Sequence, residues 1–447
     1  MARLGLFRTV VALMVLVAYP VMAADHYVRP AGSYGSGNGS DWTNACSGFS
    51  GACSPGSMVR GDTYYVASGS YPSLLLNRAA SGSLVITIKK ATIADHGTGT
   101  GWSDSMASGS AKLQQGSTSE ALMFGSPYWV VDGVTGGGPG NWKSGFGFVL
   151  DASRKTSPVS GGVSIFDNTG NIIIRHVEIL GNGGDGTPTS GQNDGLYCGN
   201  NNPGVLLEYA WVHDTGRTNL FVRCSGFTTR YSWICCNEST PSEHSEHVSA
   251  WSGSTPNTVQ NLVFAYNVWQ APNGTGGIVM SVDGADVYGN VFLGGGEGGG
   301  NGLVTTWSSD NARNVRVYNN SFVNCNYYAV NFPDSESTGN VAFNNIFYNS
   351  NPGFSNVAQH SYNWYYGSGG TYGESNAQSG TGNPFVNITS DDFRLTAATN
   401  PGTALPAPYD RDPLGVVRGA DGTWDRGAYE FPPQVSPPTN LRIDSIQ

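Results

Sequence analysis

The sequence predicts an all-β solenoid of parallel rungs, and three observations carry that expectation. Gly supplies 63 of 447 residues and charged residues only 12%, a composition suited to short strands joined by many turns. Seven nine-residue words align: NIIIRHVEI from Asn171, GVLLEYAWV from Gly204, GFTTRYSWI from Gly226, NLVFAYNVW from Asn261, GADVYGNVF from Gly284, NVRVYNNSF from Asn314 and GNVAFNNIF from Gly339. Between them runs a shorter strand with an aliphatic second position (Val163, Leu196, Val222, Val248, Ile278, Leu303, Val330). The words start 33, 22, 35, 23, 30 and 25 residues apart. Strands this short cannot each bury a face alone, but stacking them at the ~4.8 Å spacing of paired strands does so. The uneven spacing favours parallel rungs with loops bulging from one corner over the even hairpins of a sandwich or propeller.

The elements follow in chain order. Arg3 and Arg8 precede an apolar run, VVALMVLVAYPVMAA, that ends at small residues around Ala23 and Ala24. This reads as a signal peptide over residues 1–24, too short and wrongly flanked for a spanning helix, and the mature chain is expected outside the cell or in a periplasm with no membrane insertion. Seven cysteines in an exported chain permit disulfides. Cys46 and Cys53 bracket a Gly-rich loop, while Cys198 and Cys224 take inward positions on successive rungs, either bonded or stacked as thiols. In the repeated words, position nine is always large and apolar (Ile179, Val212, Ile234, Trp269, Phe292, Phe322, Phe347), which marks a core position. Position seven becomes Asn in the last four (Asn267, Asn290, Asn320, Asn345), which marks an asparagine stack at a turn. After Phe431, residues 432–447 read as an extended Pro-rich tail.

The segments that flank the repeats carry a resemblance. HYVRPAGSYGSGNGSDW and GDTYYVASGSY look like the entry segment, and DFRLTAATNPGTAL with DPLGVVRGADGTWDRGAYEF like the closing segment, of the right-handed parallel β-helix, pectate-lyase-like superfamily. The resemblance spans residues 25–431 as a single domain capped at both ends, and implies a groove along the parallel strands where acidic polysaccharides are cleaved by β-elimination.

A net charge of -10 with five lysines argues against nucleic acid or an anionic membrane surface as partner; an extracellular polysaccharide is the expected one. If positions two and four of the short strand face the core, then Tyr197, Phe221, Arg223, His247 and Trp251 face outward on the middle rungs. Asp185, Asn193, Asp194, His213, Asp214, Arg217, Glu243, His244 and Glu246 precede them in the loops. Arg223 and His247 would then be diagonal neighbours about 7–8 Å apart at Cβ. Rings stack on sugar faces and Arg pairs with a carboxylate in bidentate geometry. Elimination needs a cation on the uronate carboxylate and a base for the proton on the adjacent carbon. Arg223, with Arg217 in reserve, fits the first role, and His247, with His244 in reserve, the second. Tyr197, Trp251, Phe221, His213, Asp214 and Glu246 would contact substrate.

Other chemistries stay open. Lyases of the superfamily often use Lys or Arg as base and an aspartate cluster holding Ca2+, but no lysine falls on the expected face: Lys143 and Lys155 sit in loops before it. The paired aspartates, Gly-His-Gly and Arg-x-Lys of the superfamily's hydrolases are also absent from the sequence. A glycoside hydrolase would need two carboxylates about 5 to 9.5 Å apart, for which Asp194, Asp214 and Glu246 are candidates. His244 and His247 with Glu243, His213 or Asp214 offer ligands for zinc or another transition metal. A glycan-binding surface module without catalysis is the third class.

Overall fold

A computed structural model describes residues 23–114, 120–153, 161–183, 194–237, 245–253, 257–271, 276–294, 302–307, 309–367 and 370–432. Most of the expected signal peptide and of the Pro-rich tail lies outside these residues. Three parallel sheets of thirteen, twelve and ten strands run the length of the coil, and no α-helix occurs among the described residues. One turn of the coil passes through Ile172–Arg175 in the first sheet, Val177–Leu180 in the second and Leu196–Cys198 in the third. It returns to the first sheet at Val205–Glu208, one rung on.

Each nine-residue word is therefore two strands, not one. Its first half lies in the first sheet and its second half in the second, and the chain bends between them at position six. That residue has a positive φ in every word: His176, Tyr209, Tyr231, Tyr266, Gly289, Asn319 and Asn344. Position one is left-handed as well, from Asn171 (φ 53°) to Gly339 (φ 72°), which explains why only Asn and Gly occupy it.

Position nine forms the core ladder. Trp269, Phe292, Phe322, Phe347 and Tyr365 stack with ring centroids 6.2, 4.7, 5.1 and 5.6 Å apart in succession. Burying each such ring contributes about 2–3 kcal/mol. Position seven forms a second ladder, in which all four asparagines are fully buried. The backbone N–H of Asn267 donates to Asn290 Oδ1, that of Asn290 to Asn320 Oδ1, that of Asn320 to Asn345 Oδ1, and that of Asn345 to Asn363 Oδ1. The spare Nδ2 donors of Asn290, Asn320 and Asn345 reach the same acceptors at 3.0, 3.0 and 3.1 Å. Every polar atom that the turn would orphan thus finds a partner, which is the condition for burying an amide without penalty.

Both expected cysteine pairs are bonded, Cys46 with Cys53 and Cys198 with Cys224. The C-terminal segment then folds back along the outside of the second sheet. Phe385, Phe393, Leu395, Ala428 and Tyr429 pack against Trp233, Val268, Val291, Val323 and Ile346. Behind them, fully buried Arg418 donates to the carbonyls of Asp425, Gly427 and Ala428 and pairs with Glu430. No helix among the described residues is long and apolar enough to cross a membrane.

Candidate functional site

Alternation on the third sheet decides which side chains face outward. Leu196 and Cys198, Leu220 and Val222, and Val248 and Ala250 point into the core. Tyr197, Phe221, Arg223 and Trp251 keep the opposite parity and are at least partly exposed, so the expected faces hold. The expected register does not. Leu196 pairs with Leu220 and Tyr197 with Phe221, while Leu220 pairs with Val248 and Phe221 with Ser249. The strand around Phe221 is thus shifted by two residues from the alignment that set Val222 beside Leu196 and Val248. The shared words Leu196-Tyr197 and Leu220-Phe221 carried the correct register.

The slip changes who meets whom. Tyr197 and Phe221 stack at 5.8 Å with ring planes 15° apart. Arg223 lies opposite Trp251, its guanidinium 5.2 Å from the indole centroid, and Trp251 is 40% exposed. Among the described residues Arg223 belongs to no ion pair, and its buried Nε has no hydrogen-bond partner. Beside it opens a cleft of about 240 Å³ lined by Asn200, Asn201, Asn202, Ser225 and Thr258. Sequence reasoning missed these amide and hydroxyl groups, because the C-terminal ends of the short strands looked like ordinary turns.

His247 is the main correction. It was expected on the outer wall beside Arg223 and is fully buried. The residue sits where the second sheet turns into the third, its ring 6.0 Å from that of core residue Trp269. Nδ1 lies 2.7 Å from Asn219 Oδ1, and Asn219 uses its own Nδ2 on Thr215 Oγ1 and the Cys235 carbonyl. The imidazole therefore donates from Nδ1. Burial pushes its pKa down to about 3, so the ring stays neutral but cannot reach a substrate. The preceding residue, Glu246, is fully buried too and accepts a hydrogen bond from Thr218 Oγ1 at 3.4 Å, so it is no surface contact. His244 and Glu243 lie outside the described residues, as do Asp185, Asn193 and Lys155.

The remaining acids and bases are already engaged. Arg217 grips Asp194 with two hydrogen bonds of 2.9 and 2.7 Å and lies 5.1 Å from the Phe221 ring. Asp194 is buried, which pushes its carboxyl above the usual range although Arg217 pulls the other way. This pair braces the aromatic wall from behind. His213 and Asp214 are not on the wall at all: they end a strand of the second sheet, Trp211–His213. His213 Nδ1 is 2.8 Å from Asp214 Oδ2 and Nε2 is 3.2 Å from Glu178 Oε1. Burial opposes its charge, but the two carboxylates outweigh it and lift the pKa to about 9. Both ring nitrogens of His213 are engaged and His247 lies inside, so these two members of the candidate metal set do not share a site, while His244 and Glu243 lie outside the described residues. Among the described residues no three His, Cys, Asp or Glu side chains are placed to hold a metal ion.

The described arrangement offers a partly exposed guanidinium, a stacked aromatic pair and an amide-lined cleft on one wall. No family model and no curated protein matches the chain. Solved structures do. Pectate lyase Pel9A aligns at 15% identity over 92% of this chain and 96% of its own, with a TM-score of 0.51. The Dettilon tailspike protein aligns at 12% identity over 67% and 62% with a TM-score of 0.35, and alginate lyase AlyGC at 12% over 80% and 53% with a TM-score of 0.28. The chain folds as a right-handed parallel β-helix, and this fold is what it shares with pectate lyase Pel9A.

Proposed function

We propose that the protein is an exported carbohydrate-active β-helix that binds a uronate-containing glycan along the third sheet and cleaves it by β-elimination. The observation that carries this reading is Arg223: a guanidinium with no carboxylate partner among the described residues, held over Trp251 and beside the Tyr197–Phe221 stack. A sugar ring would lie on the aromatic strip while its carboxylate takes the Arg223 fork, and the amide cleft would hold hydroxyls. Two disulfides fit an oxidising compartment outside the cytosol. Pel9A, a pectate lyase on the same fold, adds the reaction class by analogy.

Because His247 is sealed inside, the proton-abstracting role passes to His244. Hydrolysis is less well supported: Asp194 is locked to Arg217, Glu246 is buried, and Asp214 serves His213 on another sheet. The test is a panel of acidic and neutral polysaccharides incubated with and without chelator, followed by ultraviolet absorbance and reducing ends. Polygalacturonate or alginate should gain absorbance from the unsaturated sugar, and Arg223→Ala should weaken binding by roughly tenfold or more. New reducing ends without absorbance would replace elimination by hydrolysis. Binding without any cleavage would leave a glycan-binding module, and binding unchanged in Arg223→Ala would remove the proposed wall.

A further inference from the structure

A second cleft opens at the corner between the first and second sheets, in the early rungs. It has a volume of about 640 Å³ and is lined by Lys90, Ser110, Thr135, Ser144, Phe146 and Glu178 among others. Lys90 ends the strand Ile86–Lys90, whose burial alternates so that Ile86, Ile88 and Lys90 all face inward. It pairs across the sheet with the core residue Val66. A lysine in such a position is unusual, because an ammonium taken from water needs a counter-charge or a full set of acceptors.

Among the described residues Lys90 has neither. Its side chain is only 2% exposed, and its one hydrogen bond runs from Nζ to the Ala91 carbonyl at 2.6 Å. An ammonium carries three donors, so two remain for a guest. The other described lysines behave differently: Lys89 pairs with Asp95, Lys112 with Asp151 and Lys143 with Asp391. Glu178 is the other titratable group of the lining, and its Oε1 is taken by His213. Burial alone pushes Lys90 down to about 8, so the group retains its proton near neutrality and a bound anion would secure it.

We propose that this cleft is a second ligand site that takes a small uronate, a monosaccharide or disaccharide whose carboxylate meets the Lys90 ammonium. The volume falls within the usual range of about 300–1,000 Å³ for small-molecule sites. The hydroxyls of Ser110, Thr135 and Ser144 already donate to Phe146 O, Gly145 O and Asn141 Oδ1. They present free lone pairs to sugar hydroxyls. Phe146 and the exposed Ile93 supply apolar surface for a ring face. This site does not depend on the third-sheet wall, from which it is separated by a whole sheet.

The test is calorimetric titration of the Arg223→Ala chain with galacturonate, glucuronate and digalacturonate, against galactose and acetate. The Arg223→Ala background keeps the two sites apart. One of the uronates should bind, galactose and acetate should bind at least about tenfold more weakly, and Lys90→Met should weaken the uronate by at least about tenfold. Ser144→Trp, at an exposed position of the rim, should block the cleft without touching Lys90, and so covers the case in which Lys90→Met does not fold. No uronate binding, equal binding of galactose or acetate, or unchanged binding in a folded Lys90→Met or in Ser144→Trp would each overturn the assignment.

Discussion

His213 and His247 stand in neighbouring turns of the same coil, both nearly excluded from water, and titrate in opposite directions. His213 closes a strand of the second sheet between Asp214 and Glu178, and its pKa rises to about 9. His247 opens a strand of the third sheet against the neutral side chain of Asn219 and the ring of Trp269, and its pKa falls to about 3. Burial disfavours the imidazolium in both. What separates them is whether a carboxylate compensates, and that one difference turns a histidine from a fixed cation into a neutral packing residue.

The largest effect should come from His247. Its folded pKa lies below the unfolded value, so the unfolded chain binds the extra proton and stability is lost as pH falls from 6.5 toward 3. The shift corresponds to roughly 5 kcal/mol as an upper figure. Denaturant unfolding across that window should show the parent losing ground against His247→Gln; parallel curves for the two chains would break the comparison. His213 has the opposite sign. Its contribution is fully present below 6.5 and disappears as pH rises through 9, a loss of about 3 kcal/mol that His213→Gln should not show.

A smaller change sharpens the contrast from the other side. Asp214 has a φ of 51°, a conformation asparagine tolerates, so Asp214→Asn removes a charge with little backbone cost. The His213 pKa, followed by NMR, should fall by about one unit or more. If it stays near 9, the carboxylates are not what holds the proton. The smallest effect belongs to the exposed wall: Arg223→Ala should change stability by no more than about 0.5 kcal/mol while weakening acidic-glycan binding. A cooperative loss of stability there would mean that Arg223 is a structural residue.

The parts of the fold legible in the sequence were those repeated from rung to rung. Position nine became the ring ladder and position seven the asparagine ladder because each rung demands the same solution at the same place. The bend at position six was hidden: Tyr209, Tyr231 and Tyr266 do not look like left-handed residues, and stacking on one another at 5.0 and 5.1 Å stabilises them there. On the third sheet the faces could be read from alternation, and Tyr197, Phe221, Arg223 and Trp251 emerged as expected. Register was harder, since variable loops feed each strand and a slip of two residues preserves every face; only the paired words Leu196-Tyr197 and Leu220-Phe221 marked it. His247 defeated the reading for a different reason: it stands at a corner, where alternation no longer says which way a side chain turns. Lys90 escaped notice because it lies outside the seven words.

The asparagine ladder has a direction. Each asparagine's backbone N–H is donated to the side-chain oxygen of the next asparagine toward the C-terminus, and the series stops where Asn363 Nδ2 and backbone N–H both donate to Glu374, at 2.7 and 3.1 Å. A carboxylate can only accept, so nothing can be added beyond it without moving the stop. Between Asn267 and Asn345 each rung offers the same donor and acceptor to its neighbour, while the C-terminal segment packed across Val268, Val291, Val323 and Ile346 fixes how many rungs it must cover. The ladder is thus closed at one end by a single carboxyl side chain and clasped along its length by the returning C-terminal segment.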